Sequence, residues 1–168
     1  MKFNSISLSI GLSVLSNLFS ASLPSQFGFN FPRVLAQTAD CPLPADVAVT
    51  FLNSKCKEVI LTYPQTFYRY YSDDTQKIGR FVTTDKYETN LQAIRNLALN
   101  QVWGNKATLI ERVTLPAGTT VYLGKAAPQN PPSCYPGGGQ QTWFDFLKVP
   151  DSKWSVGRKL YIEDFSCP

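Results

Sequence analysis

Gln65-Thr66-Phe67-Tyr68-Arg69-Tyr70-Tyr71-Ser72 is the stretch on which the fold turns. It is dense in aromatic residues and alternates, so Phe67, Arg69 and Tyr71 face one way while Tyr68 and Tyr70 face the other. A period of two in aromatic residues belongs to a strand, since a helix would repeat every 3.6 residues. Tyr63-Pro64 interrupts the chain before this strand, and Asp73-Asp74 open a turn after it. Gly79-Arg80-Phe81-Val82-Thr83 then reads as a second, short strand.

Working outward, Thr89-Asn90-Leu91-Gln92 matches a capping box, with Thr at the cap and Gln three residues on. Leu91, Ile94, Leu97 and Ala98 recur at helical spacing, which predicts a helix over about 90–99. A β-hairpin follows, with Thr108–Leu115 and Thr119–Gly124 as strands around Pro116-Ala117-Gly118. Residues 125–139 are too rich in Pro and Gly for regular structure. Gln141–Val149 and Val156–Phe165 are expected as two further strands. Upstream, Pro-punctuated coil gives way to a helix or strand over Val47–Leu61. Together these predict an α+β fold, a small and mostly antiparallel sheet of five to six strands with one or two helices.

The chain has 168 residues and 43% hydrophobic content, enough for one domain with a core and too little for two large ones. It contains no histidine, which excludes imidazole acid–base catalysis and His metal ligation. Residues 1–36 read as a signal peptide, with Lys2 before a Ser-studded apolar run over Ile6–Leu23 and a cut after Ala36 or, alternatively, near Ala21. The competing reading of that run is a membrane anchor, which its short length and polar content disfavour. The expected product is a secreted domain over 37–168, extracellular or periplasmic, without stable membrane insertion. Loss of Lys2 and Arg33 would leave 14 basic against 12 acidic residues. Such a scattered, weak balance argues against nucleic acid as a partner. Cys41, Cys56, Cys134 and Cys167 all fall in the domain. Even numbering and export point to disulfides, and the absence of CxxC spacing and of His argues against a metal site. Three pairings are open; Cys41–Cys56 with Cys134–Cys167 is favoured because each ties an end of the domain to its body.

Three segments in order carry a resemblance: Tyr68-Arg69-Tyr70; Gly79 to Thr84; and Thr120 to Pro128 followed by Gly137-Gly138-Gly139-Gln140-Gln141. The set resembles the tuberculosis-necrotizing-toxin family of secreted NAD glycohydrolases, over about residues 66–144. It departs from that family at Tyr71-Ser72, at Asp85, and in the Pro-rich loop bearing Cys134 and Tyr135. The resemblance implies an ADP-ribosyltransferase-like fold, NAD as substrate with no resident cofactor, and a cognate immunity protein as partner.

Cleaving the nicotinamide–ribose bond passes through an oxocarbenium-like centre. A cleft for it needs a cation for the pyrophosphate, an aromatic surface for nicotinamide and a polar group for the ribose hydroxyls. Arg69 offers a planar, charged fork suited to phosphate oxygens, with Tyr68 and Tyr70 beside it. Gln141 is assigned to the ribose, and Gln140 is the neighbour that a one-residue register error would select. An amide cannot deprotonate an acceptor, so Gln suits transfer to water better than transfer to a protein. Thr83 or Thr84 would line the floor, and Gly137, Gly138 and Gly139 would let backbone approach the ligand. No Gly-Lys-Ser/Thr follows that run, so it is not a phosphate-binding P-loop. A protein-modifying transferase is the alternative and would need Glu163 or another carboxylate in the cleft; Glu163-Asp164 otherwise reads as a solvated strand end. The third class is a non-catalytic secreted binding module or inhibitor. Convergence of Arg69, Thr83 or Thr84, and Gln141 on one cleft separates the enzymes from that third class.

Overall fold

In a computed structural model of the chain, the structure describes residues 41–167, so the expected leader over 1–36 lies outside the described residues. The fold is α+β with two four-stranded antiparallel sheets and short helices. The first sheet runs in the order β1 (Phe51–Ile60), β5 (Thr120–Ala126), β6 (Gln140–Trp143), β3 (Phe81–Val82). The second contains β2 (Gln65–Tyr71), β4 (Leu109–Leu115) and β7 (Lys153–Trp154), with β8 (Arg158–Lys159) pairing further along β4. The single sheet expected from periodicity is thus divided, and the hairpin expected around Pro116-Ala117-Gly118 does not form: β4 pairs with β2, β7 and β8, and β5 with β1 and β6, because the chain crosses from one sheet to the other at that turn. The halves meet at one residue pair, where Tyr68 N–H donates to the Thr83 carbonyl at 2.7 Å and Thr83 N–H donates back at 2.9 Å.

Strand β2 is buried on both faces, which its aromatic density requires. Phe67 packs with Leu61, Val82, Val113, Leu115, Val121 and Phe144. Tyr70 packs with Ala93, Ile94, Ala98, Ile110, Tyr135 and Leu160 in a separate cluster. Each face therefore anchors its own core.

The helix after Thr89 forms as its capping box dictates: the Thr89 hydroxyl accepts from Gln92 N–H at 3.2 Å. This α3 spans Asn90–Asn96 and ends earlier than its apolar spacing predicts. Ala98 takes a φ of 50°, a left-handed turn that stops the helix. The ambiguous 47–61 segment divides into one turn, α1 (Ala45–Ala48), and the ten-residue β1. Its strand interrupts pairing with β5 between Phe51 and Cys56, where Asn53 and Ser54 take positive φ. Gly124 sits opposite, and a Cβ there would lie 2.6 Å from the Phe51 ring.

The last two expected strands are shorter than their periodicity predicts. β6 stops at Trp143 because Asp145 caps a 3₁₀ turn over Phe146–Lys148, its carboxylate accepting from Leu147 N–H. Beyond β8, the Asn90 side chain engages Glu163 instead of a neighbouring strand. Asn90 Nδ2 donates to the Glu163 carbonyl at 3.0 Å, and Glu163 N–H donates to Asn90 Oδ1 at 2.7 Å.

Cys41 is bonded to Cys56, and Cys134 to Cys167. Their sequence separations of 15 and 33 residues constrain the unfolded chain. Replacing Cys134 and Cys167 together with Ser should lower unfolding free energy by about 3–4 kcal/mol in urea melts, the shorter Cys41–Cys56 loop slightly less.

Candidate functional site

A cleft of about 530 Å³ opens where the two sheets separate beyond the Tyr68–Thr83 bridge. Tyr68, Arg69 and Tyr70 of β2 line it, with Gln76 and Ile78 from the segment around α2 (Asp74–Lys77). The end of α3 contributes Leu97 and Leu99, the turn after it Trp103, and β6 contributes Gln141. Among the described residues lining the cleft, Arg69 is the one cation and there is no Asp or Glu.

Arg69 is fixed by its own backbone surroundings. Nη1 donates to the Phe81 carbonyl at 2.8 Å and Nη2 to the Gln76 carbonyl at 2.9 Å. The guanidinium thereby ties β2 to the start of β3 and to α2, across the gap where no ladder forms. Gly79 makes this possible, because a Cβ there would lie 2.6 Å from Nη2. Burial pushes the guanidinium below its ordinary value, and Glu111 opposes that shift. The Arg read from sequence as a ligand fork is therefore also a structural clamp.

Gln141 lies opposite and is buried, 8% exposed. Its Nε2 donates to the Thr50 carbonyl at 3.1 Å and to Thr50 Oγ1 at 3.0 Å. Those two donations orient the amide and leave Oε1 as its open acceptor. Gln140 points to solvent, its backbone N–H held by Asp85 Oδ2 at 2.8 Å. The register at β6 thus places Gln141 in the cleft and Gln140 outside it.

The other sequence candidates fall in several places. Tyr70 reaches past the cleft, its hydroxyl donating to the Asp85 carbonyl at 3.2 Å; burial raises its pKa. Thr83 is fully buried, its Oγ1 accepting from Asp85 N–H, and Thr84 is exposed; neither lines the cleft. Gly137, Gly138 and Gly139 donate their N–H groups to the carbonyls of Arg95, Ala126 and Asn96, at 3.0, 2.9 and 2.9 Å. Glycine at 137 lets the loop close on β5: a Cβ there would lie 2.5 Å from the Ala126 carbonyl oxygen. These amides hold the loop against α3 and β5, and none of the three residues lines the cleft. Glu163 lines a different cavity, beside Asn90.

Two residues that sequence reasoning missed matter here. Thr50 orients Gln141 from 91 positions away, a separation that leaves no local signal. Glu111 was legible, since it shares the inward period-two face of β4 with Val113 and Leu115. It lies directly across from Arg69 in the β2–β4 register, is 2% exposed, and neither carboxylate oxygen accepts a hydrogen bond. Lys77 Nζ approaches Oε2 at 3.9 Å. Burial pushes this carboxyl up to about 7, against the pull of Lys77 and Arg69.

Two expectations follow from this geometry. Arg69→Lys loses at least one of the two carbonyl bonds and should destabilise the fold by about 1–3 kcal/mol in denaturant melts. Glu111 binds its proton more tightly in the folded protein than in the unfolded chain. Its contribution to stability is therefore full below about pH 4.5 and is lost as pH rises through about 7. Glu111→Gln should remove that decline, roughly 2–3 kcal/mol between pH 4.5 and 8, in melts at a series of pH values.

No protein-family model matches the chain, and no curated protein matches it. A chain from the solved structure of Tne2 in complex with Tni2 is similar, with TM-score 0.56 and 16% identity, over 65% of this chain and 95% of that one. A chain from the structure of Rhs1-CT in complex with its cognate immunity protein RhsI1 matches with TM-score 0.44 and 16% identity, over 63% of this chain and 82% of that one. The likeness to the Tne2–Tni2 chain is one of fold.

Proposed function

We propose that the cleft binds NAD and hydrolyses its nicotinamide–ribose bond, in a secreted toxin-like enzyme of ADP-ribosyltransferase-like fold. The observation that carries this reading is that Arg69 and Gln141, two of the three groups expected to converge, enter one cavity of ligand size, about 530 Å³, together with Tyr68, while Thr83 and Thr84 stand outside it. Arg69 keeps N–H donors beyond its two carbonyl bonds and is the cation for the pyrophosphate. The aromatic wall of Tyr68, Phe81 and Trp103 takes the nicotinamide ring. Gln141, held through Nε2 by Thr50, accepts a ribose hydroxyl at Oε1. In the reaction the C1′–N bond breaks, nicotinamide leaves with the bonding pair, and water adds to C1′ and releases a proton. The lining offers no carboxylate to activate a protein acceptor, which favours water over transfer. The disulfides accord with an oxidising compartment, and no helix among the described residues is long and apolar enough to cross a membrane. A cognate immunity protein is the partner this reading implies.

The test is NAD consumption by the disulfide-intact domain, followed by fluorescence. Gln141→Ala should lower kcat about 100-fold with apparent NAD affinity little changed, since the bond it makes strengthens as the oxocarbenium develops. Gln141→Glu should retain part of the cleavage and can gain ADP-ribosylation of arginine mimics. A folded wild-type domain that never consumes NAD would sink the enzyme reading and leave the binding module.

A further inference from the structure

Glu111 presents a problem that the proposed chemistry does not use. A buried carboxylate normally collects several hydrogen bonds, because its desolvation is otherwise uncompensated. Here both oxygens lack one, and so does the buried Nε of Arg69, on the residue directly opposite across the β2–β4 pair. Two groups of opposite charge, each with unsatisfied polar atoms, thus sit side by side on one face of the β2–β4 pair. Arg69 also holds the carbonyls of Gln76 and Phe81. Lys77, in the same α2 turn as Gln76, stands at 3.9 Å from Glu111, within electrostatic reach but beyond a hydrogen bond.

We propose that Glu111 is a positioning residue: its ionised carboxylate acts through Arg69 and Lys77 to draw the Asp74–Gly79 wall of the cleft onto β2, and protonation releases that wall. The inference concerns the shape of the cleft and holds whichever ligand the cleft takes. The charged and titratable groups facing Glu111 come from two elements, Arg69 and Tyr71 from β2 and Lys77 from α2, with Asp74 acting on Tyr71. The cavity that Glu111 borders on its other side also carries Tyr68, Lys86, Glu88, Arg112 and Arg158. Burial and the nearby carboxylates raise the Tyr71 value above its ordinary one, so Tyr71 stays neutral near pH 7. The Glu111 carboxyl, pushed up to about 7, changes charge near neutrality.

The distinguishing consequence is a pair of opposite trends. Rising pH lowers global stability, because the ionised group is poorly solvated. The same ionisation should tighten the wall, because the charge gains two cations. A purely structural Glu111 would move both in one direction.

Hydrogen exchange over peptides spanning residues 73–81, corrected for intrinsic rate, reads the wall without NAD. Protection in the wild-type domain should rise about three- to tenfold between pH 5.5 and 8.5, the scale of one partly buried ion pair. Glu111→Gln should be flat and low across that range. Lys77→Met, which leaves Glu111 in place, should lose most of the rise. Equal pH slopes in wild type and Glu111→Gln, or no rise in the wild type, would overturn the proposal. Failure of NAD cleavage would leave it standing, so the two readings fall separately.

Discussion

Two backbone hydrogen bonds between Tyr68 and Thr83 are what the rest of this molecule depends on. They are the ladder contact between a sheet built on β1, β5, β6 and β3 and a sheet built on β2 and β4. On one side of the bridge, apolar residues from both sheets close over Phe67, as Val82 and Phe144 pack with Val113 and Leu115. On the other side the strands diverge. Backbone groups left without a ladder partner there need another donor, and Arg69 supplies it to Phe81 and Gln76. The cleft exists because the sheets part, and it keeps its shape because a side chain replaces the missing ladder.

Polar groups around the cleft are arranged before any ligand arrives. Asp85 is a hub: its carboxylate accepts from the Tyr87 hydroxyl and from Gln140 N–H, and its carbonyl from the Tyr70 hydroxyl. Fixing Gln140 on the outside of β6 fixes Gln141 on the inside, since neighbouring strand residues face opposite ways. Thr50 then selects which end of the Gln141 amide faces the cavity. Preorganisation of this kind lowers the reorganisation that ligand binding would require, because the polar groups are already aimed. The Arg69–Glu111 pair of β2 and β4 is an exception to this satisfied network.

Local chemistry made several elements legible. The aromatic alternation of 65–72 formed β2 and the Thr89/Gln92 capping box started α3, whereas the two strands around Pro116-Ala117-Gly118 formed without pairing as the expected hairpin. Each depends on residues a few positions apart, so the information lies within one window. Element lengths were less legible. Val156–Phe165 has strand periodicity, yet Asn90, 73 residues earlier, claims the backbone of Glu163. The Gly137–Gly139 run looks from sequence like a surface for a ligand, whereas its amides are taken by Arg95, Ala126 and Asn96.

By itself the sequence determined the α+β class, the strand that carries Arg69, and an acid–base inventory without histidine, because composition and short-range periodicity are properties of the chain alone. The tertiary structure decided that there are two sheets rather than one, that Gln141 and not Gln140 enters the cleft, and that Thr83 and the glycine run stand apart from it. It also decided that Arg69 clamps the wall while Glu111 lies buried directly across from it on β4. The physical reason is common to these outcomes. Each depends on which partner meets a backbone group or a charge across dozens of residues, and that is settled only when the core closes.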